Sequence, residues 1–187
     1  MDIFESRRKR LYAQMELSGV SCLLITPSAD MQYLTDLTLL ADERLLAAVF
    51  ASGFVPFLIA NQLQRAALEN SPYQDIVYYR DGDDAASLLA GELNGRGIPT
   101  DHLAFDNAMA AELAVPILEA IPHQQCSVSA KVTAPLRMVK DAEEIARLRI
   151  ACRKASDDLR KTMSTGRAWI GHTETELEEA LCREMVR

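Results

Sequence analysis

The sequence predicts an α/β protein: a mixed sheet with helices on both faces, followed by two helices of an incomplete second domain. Three observations carry that expectation. Short apolar runs bounded by turn residues alternate with helical periodicity through residues 1–133. Two of those runs, Leu45–Ala51 and Phe54–Ala60, are separated by a gap holding Gly53, the pattern of an antiparallel hairpin. Beyond Asp141 the strand signals stop, and two amphipathic helical patterns take their place.

The opening segment up to Leu17 reads as a helix closed by Gly19, which tolerates a left-handed cap. Val20–Thr26 is a compact apolar run ending at Pro27, suited to a buried strand. After the hairpin, Gln62–Glu69 reads as a short helix and Asp75–Tyr79 as a strand. Asp83–Leu93 is helical, with Leu88, Leu89 and Leu93 on one face and Asn94–Gly97 as its stop. His102–Phe105 reads as a strand, Ala108–Ala120 as a helix that Pro116 should kink or restart, and Cys126–Val132 as a last strand.

From Pro135 the texture changes. Ile145, Leu148, Cys152, Ala155, Leu159 and Met163 recur at spacings of three and four, drawing one apolar stripe on a helix from Asp141 to Met163. Asp141 with Glu144 forms a capping-box pattern at its start. Thr173 with Glu176 repeats that pattern ahead of Leu177, Leu181 and Met185. No strands follow to bury these faces, and Arg187 comes without a stop signal. The expectation is a first domain at 1–133 and, at 134–187, a linker and the beginning of a truncated second domain. Packing of the stripes on the first domain or on another chain is the alternative.

Bulk properties narrow the function classes. Of 187 residues, 49% are hydrophobic and 25% charged, the balance of a globular chain. No apolar run is long enough to span a membrane, and the charged start does not resemble a signal peptide. A cytoplasmic location and no membrane partner are therefore expected. Residues 1–133 hold 9 Lys and Arg against 17 Asp and Glu, while residues 134–187 hold 11 against 10. An acidic first part disfavours nucleic acid. The Arg7–Arg10 run reads as a solvated helix face. Cys22, Cys126, Cys152 and Cys182 lack metal-knuckle or redox spacing and read as buried free thiols.

The residues offer no catalytic constellation. Gly95-Arg96-Gly97 follows a helix and reads as a turn, not a phosphate cradle. His102, His123 and His172 lack ligand spacing. Asp81-Gly82-Asp83-Asp84 has its glycine in the wrong place for a calcium loop, and Asp83 or Asp84 as a helix N-cap explains it. Glu143 and Glu144, like the glutamates after Thr173, sit where the helix dipole favours acids. Catalytic and metal-ligating residues are expected to be absent from this chain.

Specific motifs appear at the junction. Leu136-Arg137-Met138-Val139-Lys140-Asp141-Ala142-Glu143-Glu144-Ile145 resembles the stretch joining the two domains of Xaa-Pro peptidases and creatinases. Ile170-Gly171-His172-Thr173-Glu174-Thr175-Glu176-Leu177 looks like that family's Gly-x-Thr-Glu-x-Glu-Leu turn. Met31-Gln32-Tyr33-Leu34-Thr35-Asp36 resembles its Asn-Ile-Tyr-Tyr-Leu-Thr-Gly motif, with Asp30 for the usual Asn and Asp36 for the usual Gly.

The resemblance implies a creatinase-type amino-terminal domain, the start of a pita-bread domain, and a homodimeric parent. The parent would hydrolyse the bond before proline in a peptide. Two divalent ions, manganese or cobalt, would be held by Asp, Asp, His, Glu and Glu, all beyond the matched region, so the chain alone should be inactive. Tyr33 and Asp36, placed at the first strand–helix junction, become candidates for the substrate entrance, against the competing reading that Tyr33 and Leu34 pack in the core. Arg137 and Lys140 would lie at the interdomain link, against a solvated linker role. A creatinase-like amidinohydrolase, which uses no metal, and a stand-alone binding or dimerisation module are the rival readings.

Overall fold

The computed structural model describes residues 3–164 and 169–185. Met1 and Asp2, counted in the expected first helix, and Arg187, where the truncation expectation turned, lie outside them. The chain divides into two compact units, residues 1–138 and 139–187.

The first unit carries a six-stranded mixed sheet in the order β4-β3-β2-β1-β5-β6. The strands are β1 (Cys22–Ile25), β2 (Ala47–Phe50), β3 (Phe57–Asn61), β4 (Ile76–Tyr79), β5 (His102–Phe105) and β6 (Gln125–Val128). The expected hairpin is present: β2 pairs antiparallel with β3, Ala48 opposite Leu58. β1 pairs antiparallel with β2, Leu24 opposite Val49, and parallel with β5, Leu24 opposite Phe105. It is therefore the strand at which the sheet changes sense.

Period-two alternation sends the side chains of β1 into two separate cores. Leu23 and Ile25 join Leu11 and Met15 of α1 (Ile3–Leu17), Met31 and Leu34 of α2 (Ala29–Thr35), and Val132 and Leu136 of α6 (Ala130–Met138). Cys22 and Leu24 face the other way. They pack with Leu89 and Leu93 of α4 (Ala85–Gly95) and with Ile117 of α5 (Ala111–Ala120). Helices thus cover both faces, as the sequence pattern requires. A 3-10 turn at Gln62–Gln64 and the short α3 (Arg65–Leu68) fill the expected helical segment before β4.

Local end signals behave as chemistry dictates. Gly19 takes φ +67° behind α1. Asp84 caps α4, its carboxylate accepting from the Ser87 N–H at 3.0 Å. α5 runs as one helix carrying Pro116, whose missing N–H leaves the Glu112 carbonyl without its intrahelical donor.

The expected last strand is shorter than its apolar run. β6 ends at Val128, and Val132 and Thr133 belong to α6. Ser129 makes the switch: its N–H still bonds the Phe105 carbonyl at 2.6 Å, while its own carbonyl accepts from Val132 and Thr133, each at 2.8 Å. The cysteine expectation also needs correction. Cys22 is buried, whereas Cys126 on an edge strand and Cys152 and Cys182 on outer helix faces are exposed.

The second unit holds α7 (Ala142–Ser164) and α8 (Glu174–Met185). Asp141 and Glu144 bond reciprocally at 2.9 and 2.8 Å, as a capping box should. Thr173 and Glu176 do the same at 2.7 and 3.4 Å.

Leu24→Ala should lower the unfolding free energy by about 2–5 kcal/mol, as a fully buried leucine lost from a closed site does. Leu40→Ala, at a position 90% exposed, should stay within about 0.5 kcal/mol. Urea unfolding of the two variants beside the parent chain measures both.

Candidate functional site

The four sequence-predicted positions fall in different settings. Tyr33 lies inside α2, not at a strand–helix junction, and is buried. Asp36 is the C-cap of the same helix, exposed, in the left-handed region at φ +65°. Arg137 is in the last turn of α6 and Lys140 begins the second unit. The structure brings Tyr33 and Arg137 onto one end of α6; Asp36 stands apart at the C-terminus of α2.

Tyr33 is the hub of that end. Its hydroxyl donates to the Leu136 carbonyl at 3.1 Å and accepts from Arg10 Nη2 at 2.8 Å. The Arg7 guanidinium lies 4.2 Å from its ring centroid and donates to its backbone carbonyl at 3.0 Å. A cation over an electron-rich ring gains most when it is shielded from water. Arg7 is 8% exposed, so the Arg7–Arg10 run is not the solvated face its spacing suggested. Beside Tyr33, Asp30 accepts from Arg137 Nη1 at 2.5 Å.

A second polar group forms where β1 and β5 end together. Ser28 caps α2, its Oγ accepting from the N–H groups of Asp30 and Met31 at 3.2 and 3.3 Å. The same hydroxyl donates to Asp106 at 2.5 Å, and Asp106 also accepts from the Ala108 N–H at 2.8 Å. Burial pushes the Asp106 carboxyl above the ordinary carboxylate range; Ser28 and the Ala108 N–H pull it back, and the charge of Asp30 adds to the rise. Asp75 goes the other way: the Arg96 guanidinium beside it holds its carboxyl below that range.

Asp30 and Asp106 are thus engaged with protein donors. Among the described residues no group of three or more His, Cys, Asp or Glu is placed to hold a metal ion. The residues present do not fit the two-metal centre implied by the resemblance. His102 bridges the Gly19 carbonyl and Ser127 Oγ at 3.1 and 2.8 Å, a structural tie between strands. Two surface cavities stand elsewhere on the first unit. One, about 390 Å³, has acidic Asp81, Asp83, Asp84 and Glu112 around an apolar floor. The other, about 730 Å³, runs beside the edge strand β4 under Arg65 and Tyr78. Among the described residues no helix is long and apolar enough to cross a membrane.

Sequence reasoning missed Arg7, Ser28 and Asp106. Arg7 was hidden in a charge run, and the Ser28–Asp106 pair spans 78 positions. Asp30 was visible only as a departure from a motif.

A family model, the creatinase/prolidase N-terminal domain, matches residues 7–139. A Mycobacterium tuberculosis protein described as "Probable dipeptidase PepE" is 31% identical over 138 residues, covering 72% of this chain and 36% of its own length. The crystal structure of dipeptidase PepE from Mycobacterium ulcerans superposes with TM-score 0.81 at 27% identity, covering 98% of this chain and 49% of that one. A Bacillus anthracis Xaa-Pro dipeptidase shares the fold, with TM-score 0.78 at 20% identity and coverages of 98% and 49%. The chain spans between about a third and a half of the length of these relatives.

The left-handed cap gives one test of this region. Asp36→Gly should leave stability unchanged or raise it by up to about 1 kcal/mol, whereas Asp36→Val should lower it by about 1–2 kcal/mol. Thermal or urea unfolding separates the two. Asp106 gives another. Its proton is held more tightly in the folded than in the unfolded chain, so between about pH 4 and 6 wild-type stability should fall with rising pH relative to Asp106→Asn. Urea midpoints across that window, measured for both proteins, check the sign.

Proposed function

The chain belongs to the creatinase/prolidase N-terminal domain family, and from that membership we propose that it acts as the amino-terminal part of an Xaa-Pro dipeptidase. The observation that supports this reading most is one of extent. The structural match to the Mycobacterium ulcerans dipeptidase takes in 98% of this chain but only 49% of that enzyme. The proposed protein is a metallopeptidase acting on a proline-containing peptide, with two manganese or cobalt ions. It is a cytoplasmic homodimer that engages neither nucleic acid nor membrane.

In this reading residues 1–133 serve as the non-catalytic domain and residues 134–187 as the linker and first two pita-bread helices. Peptide cleavage before proline needs a polarised carbonyl and an activated water, the two tasks a paired metal centre supplies. The described residues contribute no ligand to it. Their part is to shape and position. Tyr33 and Asp36 are assigned to the substrate entrance, Asp36 as the exposed member that a ligand can touch and Tyr33 as the buried support behind it. Arg137 and Lys140 are assigned to the link, flanking the boundary after Met138. The apolar stripe of α7, with Leu148, Leu159 and Met163 half-exposed, supplies a face for further chain to cover.

The test is to express the complete reading frame that contains residues 1–187. It is then assayed on an Xaa-Pro dipeptide and on its Xaa-Ala counterpart, with manganese, with cobalt and after chelation. The reading expects cleavage of the prolyl substrate only, abolished by chelator, and none by residues 1–187 alone. A frame whose product cleaves neither dipeptide, or cleaves the prolyl one equally well after complete chelation, overturns it.

A further inference from the structure

α6 is not built to hold its own last turn. It has nine residues, and Pro135 inside it deletes the N–H that would bond the Lys131 carbonyl. Its final four carbonyls have no intrahelical donor. No glycine follows to supply a left-handed cap; the chain continues Val139-Lys140-Asp141.

Two side chains of α2 reach that turn at successive residues. Tyr33 donates its hydroxyl to the Leu136 carbonyl at 3.1 Å, satisfying one of the orphan acceptors. Asp30, its side chain 10% exposed, holds the Arg137 guanidinium at 2.5 Å. The two are three residues apart on a helix and so share a face. Tyr33 is itself immobilised by Arg10 on its hydroxyl and Arg7 on its ring. A charge pair this sheltered resists opening more than a surface pair does. Beyond the turn, the Asp141–Glu144 capping box anchors the start of α7. Only Val139 and Lys140 separate the two anchored ends.

We propose that Tyr33 and Asp30 form a latch on the last turn of α6, confining the pivot between the two compact units to Val139 and Lys140. Hinges of this kind place a large backbone change in a few residues between rigid ends. The latch stands on the division of the chain and on these bonds, and does not depend on the peptidase reading.

Native cysteines allow a direct test. Cys126 is exposed in the first unit and Cys152 in the second, so a Cys182→Ser background takes one nitroxide label on each. Cys22 is buried, its thiol pushed up to about 12, and should not react. In that background Tyr33→Phe keeps the ring over Arg7 and removes only the hydroxyl; Asp30→Asn weakens the ion pair. Each variant should speed amide exchange at residues 136–138 about ten-fold, with β1 and β5 unchanged, as a local opening does. The Cys126–Cys152 distance distribution should widen, most in the double variant. Exchange at 136–138 that stays the same, or rises equally in β1 and β5, overturns the latch. So does a distance distribution of unchanged width in the double variant.

Discussion

The first unit depends on β1 being buried from both sides while hydrogen-bonded along both edges. Four residues, Cys22 to Ile25, serve two cores, close an antiparallel pairing with β2 and open a parallel one with β5. Each fully buried aliphatic side chain there contributes about 1.5–3 kcal/mol. No residue of the strand can turn to water without emptying one core or the other. That constraint explains why β1 is a continuous apolar run and not an alternating one. It also explains why helices must cover both faces.

The polar residues gather where β1 ends, because there the sheet releases its chain. Ser28, Asp30 and Asp106 satisfy the start of α2 and the turn after β5, and through Arg137 they reach the end of α6. Tyr33 ties α1, α2 and α6 with one ring and one hydroxyl. A residue position that looks like a candidate for contact with substrate is, in this unit, first a structural joint. Whatever Tyr33 does for a ligand it does by holding its neighbours, and Asp36 is the member of the motif left open to contact.

Local signals were legible in the sequence because their partners are close by. The caps at Asp84, Asp141 and Thr173 each join residues three positions apart. The β2–β3 hairpin needs only the short gap around Gly53. The start of α6 was not legible: Val132 and Thr133 are β-branched and extend the strand pattern, and the Ser129 carbonyl that starts the helix leaves no mark in composition. Burial of Arg7 depends on Tyr33, 26 residues away. The parallel pairing of β1 with β5 crosses about eighty residues, beyond the reach of periodicity. For the candidate site, motif resemblance located Tyr33, Asp36 and Arg137. Their separation into a buried joint and an open cap came only with the fold.

The account rests most directly on β1 as the last element to open. Native-state amide exchange across increasing, sub-denaturing urea reports which hydrogen bonds break only with the whole unit. The amides of Leu23 and Leu24 are predicted to exchange solely through global unfolding, with the full urea dependence, while those of the edge strands β4 and β6 open at lower free energy. If β1 exchanges through a smaller opening than either edge strand, the unit is not organised around it, and the account fails.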